Sequence, residues 1–198
     1  MLINKDGKPM SRSEGEAVMK SRSSITVSIF AALLAICALL SNGNSGKILN
    51  NTIAANDVWA FYQAKSIKQT IAEQSRDDIK QLLDTQGNGL HQDQMQRMIA
   101  KIADLDATIA RYESDVKSGE GKKELFVKAK TLEAEREQAR HKSPWYGMAS
   151  AALQIAIVLS TTSILGVSML LLWGSVGVGV LGTAMLVNAY FMFIPWPF

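Results

Sequence analysis

Charge is missing from the last 56 residues of this 198-residue chain: from Ser143 to Phe198 there is no Asp, Glu, Lys or Arg. A soluble domain needs charged side chains over all of its exterior, so this absence excludes a water-soluble globule for that segment. Cysteine is reduced to one residue, Cys37, which excludes an internal disulfide. Histidine is also scarce. His91 and His141 stand fifty positions apart, which leaves no metal-ligand spacing. No Gly-rich loop is followed by the Lys that phosphate binding would need. No acid or base falls within the apolar runs, and that argues against a proton-coupled transporter, whose relay requires one.

What is present instead is lipid-compatible sequence. The uncharged segment holds two apolar runs, and a third, Ile25 to Leu40, lies near the start. Each approaches the ~20 residues that cross a bilayer core. The expected organisation is a polar tail over 1–23, a membrane helix over 24–41, an extramembrane helical domain over 42–143, and a membrane helical hairpin over 144–198. Its two helices run from Trp145 to about Ile164 and to about Phe193, joined somewhere between Gly166 and Gly174. A lipoprotein signal is disfavoured, because Ile36 precedes Cys37 where a small residue belongs. No small-x-small cleavage site follows Leu40, so an uncleaved anchor fits better than a signal peptide. The run Ser41-Asn42-Gly43-Asn44-Ser45-Gly46 reads as a helix stop. At the other boundary, Pro144 reads as the first residue of a new helix.

The middle domain carries sixteen basic against fifteen acidic residues, which alternate in sign. Nucleic-acid binding would need basic clustering, and is not expected. Lys47 to Thr85 lacks proline and glycine and reads as helix, with Ile48, Ala55, Trp59, Tyr62, Ile71, Ile79 and Leu82 mainly on one side. Gln86 to Gly89 reads as a turn. Met95, Met98, Ile102, Leu105, Ile109, Tyr112 and Val116 then recur at alternating intervals of three and four, the spacing that keeps one seam against a partner helix. Leu125, Ala129, Leu132 and Ala139 continue out of phase, with the slip at Ser118 to Gly121. A chain that leaves and re-enters a membrane is served by two arms, roughly 60 and 75 Å long at 1.5 Å per residue. The expected fold is therefore all-α: three transmembrane helices, with a long antiparallel coiled-coil hairpin between the first and second. A three-helix bundle is the alternative.

Candidate functional residues are contact residues rather than catalysts. Trp59, Phe61 and Tyr62 cover more than one helix face, so they either pack on the returning arm or meet another subunit, the second being favoured. With the seam residues Met98, Ile102, Leu105, Ile109 and Tyr112 they form the candidate protein interface. Ser175, Gly179 and Thr183 form a small-xxx-small stripe for membrane helix packing. Trp145, Tyr146 and Trp196 are placed as interfacial anchors. Gln154 and Asn188 are amides able to bond between membrane helices, and Thr161, Thr162, Ser163 and Asn188 could line an oligomeric pore. The acidic clusters Asp77-Asp78 and Glu133 to Glu137 are interleaved with Lys80, Arg136 and Arg140, which fits exposed helix pairs rather than acid/base catalysis. Five basic residues in the tail favour a cytoplasmic N-terminus, with the helical domain on the other side.

The stretch Asn56-Asp57-Val58-Trp59-Ala60-Phe61-Tyr62-Gln63-Ala64-Lys65-Ser66-Ile67-Lys68 resembles the signature of a bacterial membrane family, domain of unknown function 4337. Ile109 to Glu113 and Leu153 to Leu159 are similar to its later landmarks. The resemblance covers about residues 25 to 170. It implies three membrane helices with a helical domain between the first two, in a bacterial inner membrane, and it implies no activity, substrate or cofactor. Family members carry an Arg/Lys cluster between the last two membrane helices, where this chain has Gly166-Val167-Ser168-Met169. Residues and resemblance together lead to the expectation of a non-enzymatic membrane-anchored protein without cofactor. It would touch lipid and act as oligomeric scaffold or accessory subunit of a larger complex. A small oligomeric channel or transport component is the alternative.

Overall fold

A computed structural model describes residues 12–86, 89 and 91–195. It contains four helices: α1 (Arg12–Gln86), α2 (Gln92–Glu113), α3 (Lys122–Leu165) and α4 (Met169–Phe191). No strand occurs among the described residues. The expected all-α class holds, and α1, α3 and α4 each contain a stretch long and apolar enough to cross a membrane. The chain divides into two compact units, Met1–Ile48 with Glu137–Phe198, and Leu49–Arg136.

Two expected helix ends are absent. α1 runs through residues 41–46 without a stop. Glycine in a helix interior costs up to ~1 kcal/mol relative to alanine, and asparagine and serine also disfavour it. Tertiary contacts outweigh these local preferences here. Asn44 Nδ2 donates to the Ala139 carbonyl at 2.8 Å, and Cys37 and Ala139 on the facing helices are fully or almost fully buried. Likewise Pro144 lies inside α3 instead of opening it. The missing N–H and the ring clash cost ~3 kcal/mol, but Ala139 and Tyr146 on either side of it are both buried and keep the helix in place. The tail also departs from expectation, since residues 12–23 are helical; residues 1–11 lie outside the described residues.

In the unit formed by the chain's two ends, α1, α3 and α4 share one core. Phe30 and Cys37 come from α1, Tyr146, Ala149, Leu153 and Ala156 from α3, and Leu186 and Ala189 from α4. Spacings of three, four and seven keep each set on one helix face. α3 and α4 are joined by a tight turn at residues 166–168, at the start of the expected range, where Val167 takes a positive φ of 47°. The Gly166 N–H donates to the Thr162 carbonyl (3.1 Å) and that of Ser168 to Ser163 (3.2 Å).

In the unit Leu49–Arg136, contacts pair α1 with both later helices. Gln69 and Arg76 meet Glu113 and Asp106 of α2, while Asn51 and Trp59 meet Glu135 and Glu133 of α3. The inward face of α1 is Ala55, Val58, Tyr62, Lys65, Gln69, Ala72, Arg76, Ile79 and Leu83, all buried or half-buried, at alternating intervals of three and four. This corrects the expected face at two positions: Ile71 is 58% exposed and Leu82 is 43% exposed.

α2 and α3 are separated by a structured loop at residues 114–121. Ser114 Oγ donates to Glu124 Oε1 (2.6 Å) and the Asp115 N–H to Glu124 Oε2 (3.1 Å). Gly119 takes a φ of +70°, and a Cβ on Gly121 would run into the backbone of Ser114 and Asp115. Both glycines are therefore set by the backbone path.

Continuity of α1 has a direct consequence. Gly43 has open space around its Cβ position and no positive φ, so Gly43→Ala should raise thermal stability by roughly 0.5–1 kcal/mol. A loss of stability in detergent melts would instead restore the helix stop.

Candidate functional site: an aromatic cluster and an uncovered helix face

The three aromatics of α1 separate. Trp59 packs edge-on against Tyr62 (5.4 Å between ring centroids) and against Phe126 of α3 (5.7 Å). Its indole Nε1 donates to Glu133 Oε1 at 2.8 Å. Lys130 Nζ donates to Glu133 Oε2, also at 2.8 Å, and lies 5.7 Å from the Trp59 ring centroid. Lys122 stands over Tyr62 at 5.8 Å. These cations sit on the negative faces of the rings. The hydrogen bonds from Lys130 and then Trp59 hold the Glu133 carboxyl below its usual range. Trp59 and Tyr62 thus pack on α3 rather than standing free for another subunit. Phe61 does not, and remains 64% exposed. It borders a groove of about 480 Å³ lined by Val58, Leu125, Leu132, Asp57 and Lys128.

Of the α2 seam, Met98, Ile102, Leu105, Ile109 and Tyr112 are half-buried. None of the α2 residues is fully buried. Polar contacts flank the seam: Gln69 Nε2 donates to Glu113 Oε2 (3.4 Å), Arg76 bridges Asp106 (3.3 Å), and Lys65 lies 5.5 Å from the Tyr112 ring centroid. The Gln69 bond, followed by the charges of Lys122 and Lys123, lowers the Glu113 pKa. Sequence reading missed Gln69 and Arg76 as inward residues, because an apolar pattern does not register them.

Opposite that seam, α1 presents a second stripe. Leu49, Ile53, Ile67 and Ile71 are between 52% and 62% exposed, with exposed Ala60 and Ala64 between them. Intervals of four, seven, four, three and four place all six on one side of the helix. Among the described residues of this unit no other element covers it.

Ser175, Gly179 and Thr183 of α4 differ in what they meet. Ser175 is buried and donates to the Ala156 carbonyl at 2.7 Å. A Cβ on Gly179 would collide with the Phe30 ring. Thr183 is only half-buried and bonds back to the Gly179 carbonyl of its own helix (2.8 Å). The residue that continues the contact is Gly182, whose Cβ would stand 3.1 Å from Ala152 and 3.2 Å from Leu153. A 4-3 spacing from Ser175, rather than 4-4, would have found it.

Among the anchors, Tyr146 is corrected: it is 4% exposed and belongs to the shared core, because Tyr146, Ala149 and Leu153 form the inward face of α3. Trp145 is half-buried beside the same core. Trp196 lies outside the described residues. Gln154 bonds within its helix to Ser150 (3.1 Å). Asn188 closes the segment after α4, donating to the Ile194 carbonyl (3.0 Å) and accepting from its N–H (2.8 Å). Among the described residues no His, Cys, Asp or Glu cluster is arranged to hold a metal ion.

The family description "Domain of unknown function (DUF4337)" matches residues 19–192. The chain belongs to this family. The match takes in the three apolar helices and the whole charged unit of this DUF4337 member. No curated protein and no solved structure matches the chain.

Glu113, Glu124 and Glu133 all have folded pKa values below the ordinary carboxylate value. Their stabilisation is complete above the unfolded-state pKa and is lost as pH falls through the lowered folded values. Thermal melts of the full chain should show this acid-side loss, and Glu133→Gln should flatten it while lowering stability at neutral pH. An unchanged pH profile would contradict the assignment. In the membrane unit, Gly179→Ala should cost roughly 1–3 kcal/mol by overpacking. The double variant with Phe30→Leu should recover part of that loss, and two additive losses would contradict the contact.

Proposed function

We propose that this DUF4337 protein is a non-enzymatic, membrane-anchored scaffold. In this reading α2 and the first part of α3 form the return arm of an antiparallel coiled-coil hairpin. The uncovered face of α1 then takes up another protein surface, a second copy in an oligomer or a subunit of a larger membrane complex. The single observation that carries it is the exposed stripe from Leu49 to Ile71. An apolar band of that length is costly to leave in water and marks an interaction surface. The seam of the same helix is already occupied by α2 and α3, so the stripe serves something outside the unit.

The membrane side of the proposal is a bacterial inner membrane, crossed by the apolar parts of α1, α3 and α4. The N-terminus lies in the cytoplasm and the charged unit in the periplasm. The tail charges support this orientation, five basic against three acidic residues. The channel reading has less support. Thr161 and Thr162 bond to the Val158 carbonyl, Ser163 to Ser23, and Asn188 to Ile194, so the hydroxyls and amide that would line a pore already have partners within the chain.

The test is native mass together with chemical crosslinking of the full chain in nanodiscs and in native membranes. Assembly with itself or with a reproducible partner is expected, and Ile67→Glu with Ile71→Glu should weaken it at least tenfold without lowering the melting temperature. A monomer with nothing bound, or an assembly that ignores the double substitution, would refute the scaffold reading.

A further inference from the structure

Where α4 begins, a groove of about 290 Å³ lies between α1 and α4. It has room for on the order of ten water-sized groups. Its walls are apolar, with Ile25 on one side and Met169, Trp173 and Val176 on the other. Trp173 is 68% exposed. Two polar residues stand in the lining, Arg22 and Thr26, and they differ in what they offer. Thr26 Oγ1 donates to the Arg22 carbonyl at 2.9 Å, so its proton is engaged. The Arg22 guanidinium makes no ion pair among the described residues.

We infer that this groove is a binding site for an anionic phospholipid, with an acyl chain along Ile25, Trp173 and Val176 and the phosphate on Arg22. Charge complementarity selects the occupant. A cation at the mouth of an apolar trough needs a ligand that is an anion at one end and hydrocarbon behind it. Arginine binds phosphate through a planar fork of donors, and its stem lies along apolar surface while the head reaches the interface. Indole rings prefer the same depth, where their N–H meets headgroups. A free phosphate would meet the guanidinium but leave the trough empty. A neutral lipid would fill the trough, but its own cation would compete with Arg22. The remaining basic residue nearby, Lys20, does not line the groove, and so separates site binding from general surface charge. The inference needs only α1 and α4 in a bilayer and is independent of any assembly through the charged unit.

The experiment uses the full chain with Trp59, Trp145 and Trp196 replaced by Phe, so that Trp173 alone fluoresces. It is reconstituted in vesicles that contain either phosphatidylglycerol or phosphatidylcholine with brominated acyl chains. Half-maximal quenching of Trp173 is expected at an about fivefold lower mole fraction of the brominated anionic lipid, the order contributed by one basic residue near an anionic surface. Arg22→Gln should abolish that preference and keep the maximal quenching, whereas Lys20→Gln should preserve it. Equal quenching by both lipids, no quenching by either, or a preference that survives Arg22→Gln overturns the site. If the three Phe replacements unfold the chain, native mass spectrometry of otherwise unaltered protein decides. Phosphatidylglycerol should be retained over phosphatidylcholine by the parent chain and not by Arg22→Gln, and the opposite result rejects the inference.

Discussion

Within a bilayer, apolar side chains gain little by leaving lipid for one another, so helices hold together only where their backbones come close or their polar groups pair. The membrane unit depends on that constraint. Gly179 lets the Phe30 ring of α1 lie directly on the α4 backbone, and Gly182 does the same for Leu153 of α3. Hydroxyl bonds add direction where the surfaces meet. Ser175 bonds to Ala156, and Ser23 pairs with Ser163 at 2.8 Å. An added methyl at Gly179 would separate α1 from α4, and with it move Arg22 away from Trp173. Small residues therefore set the groove at Arg22 as well as the packing.

The charged unit has a different rule. Its inward face on α1 alternates apolar residues with Asn51, Lys65, Gln69 and Arg76, and each of these meets a polar or charged group across the seam. Asn51 reaches Glu135, Lys65 lies 3.6 Å from Glu120, Gln69 reaches Glu113 and Arg76 reaches Asp106. Such partly exposed pairs contribute little stability one by one. Their value lies in register, because shifting α2 by one turn would leave Gln69 and Arg76 without Glu113 and Asp106. A thin apolar core with a polar frame also leaves the far side of α1 free to be apolar. That far side is the surface on which the assembly reading rests.

Much of the membrane part was legible in the sequence, because an uncharged run of 56 residues admits few physical interpretations. The α2 seam was legible too, being apolar at every position from Met95 to Tyr112. The inward face of α1 was hidden by those polar seam residues, which made exposed Ile71 and Leu82 look like better core candidates. Local propensity misled at residues 41–46 and at Pro144. There the sequence resembles helix ends, and only the packing around Asn44, Ala139 and Tyr146 shows why the helices continue. The spacing of the three aromatics at 59, 61 and 62 showed that they cover more than one helix face, so that at least one is awkward to bury. Which one required the position of Phe126, sixty-four residues after Tyr62. The groove at Arg22 was not legible at all, since it joins residues about 150 positions apart.

On the reading proposed above, the apolar helices are embedded in lipid and α1 and α3 run on from them without a break. Amide hydrogen exchange of the full chain in nanodiscs tests this most directly. Strong protection is predicted over residues 25–40, 145–165 and 169–191, carried without a gap through 41–46. Rapid exchange through 41–46, or water-like exchange across 145–191, would contradict it.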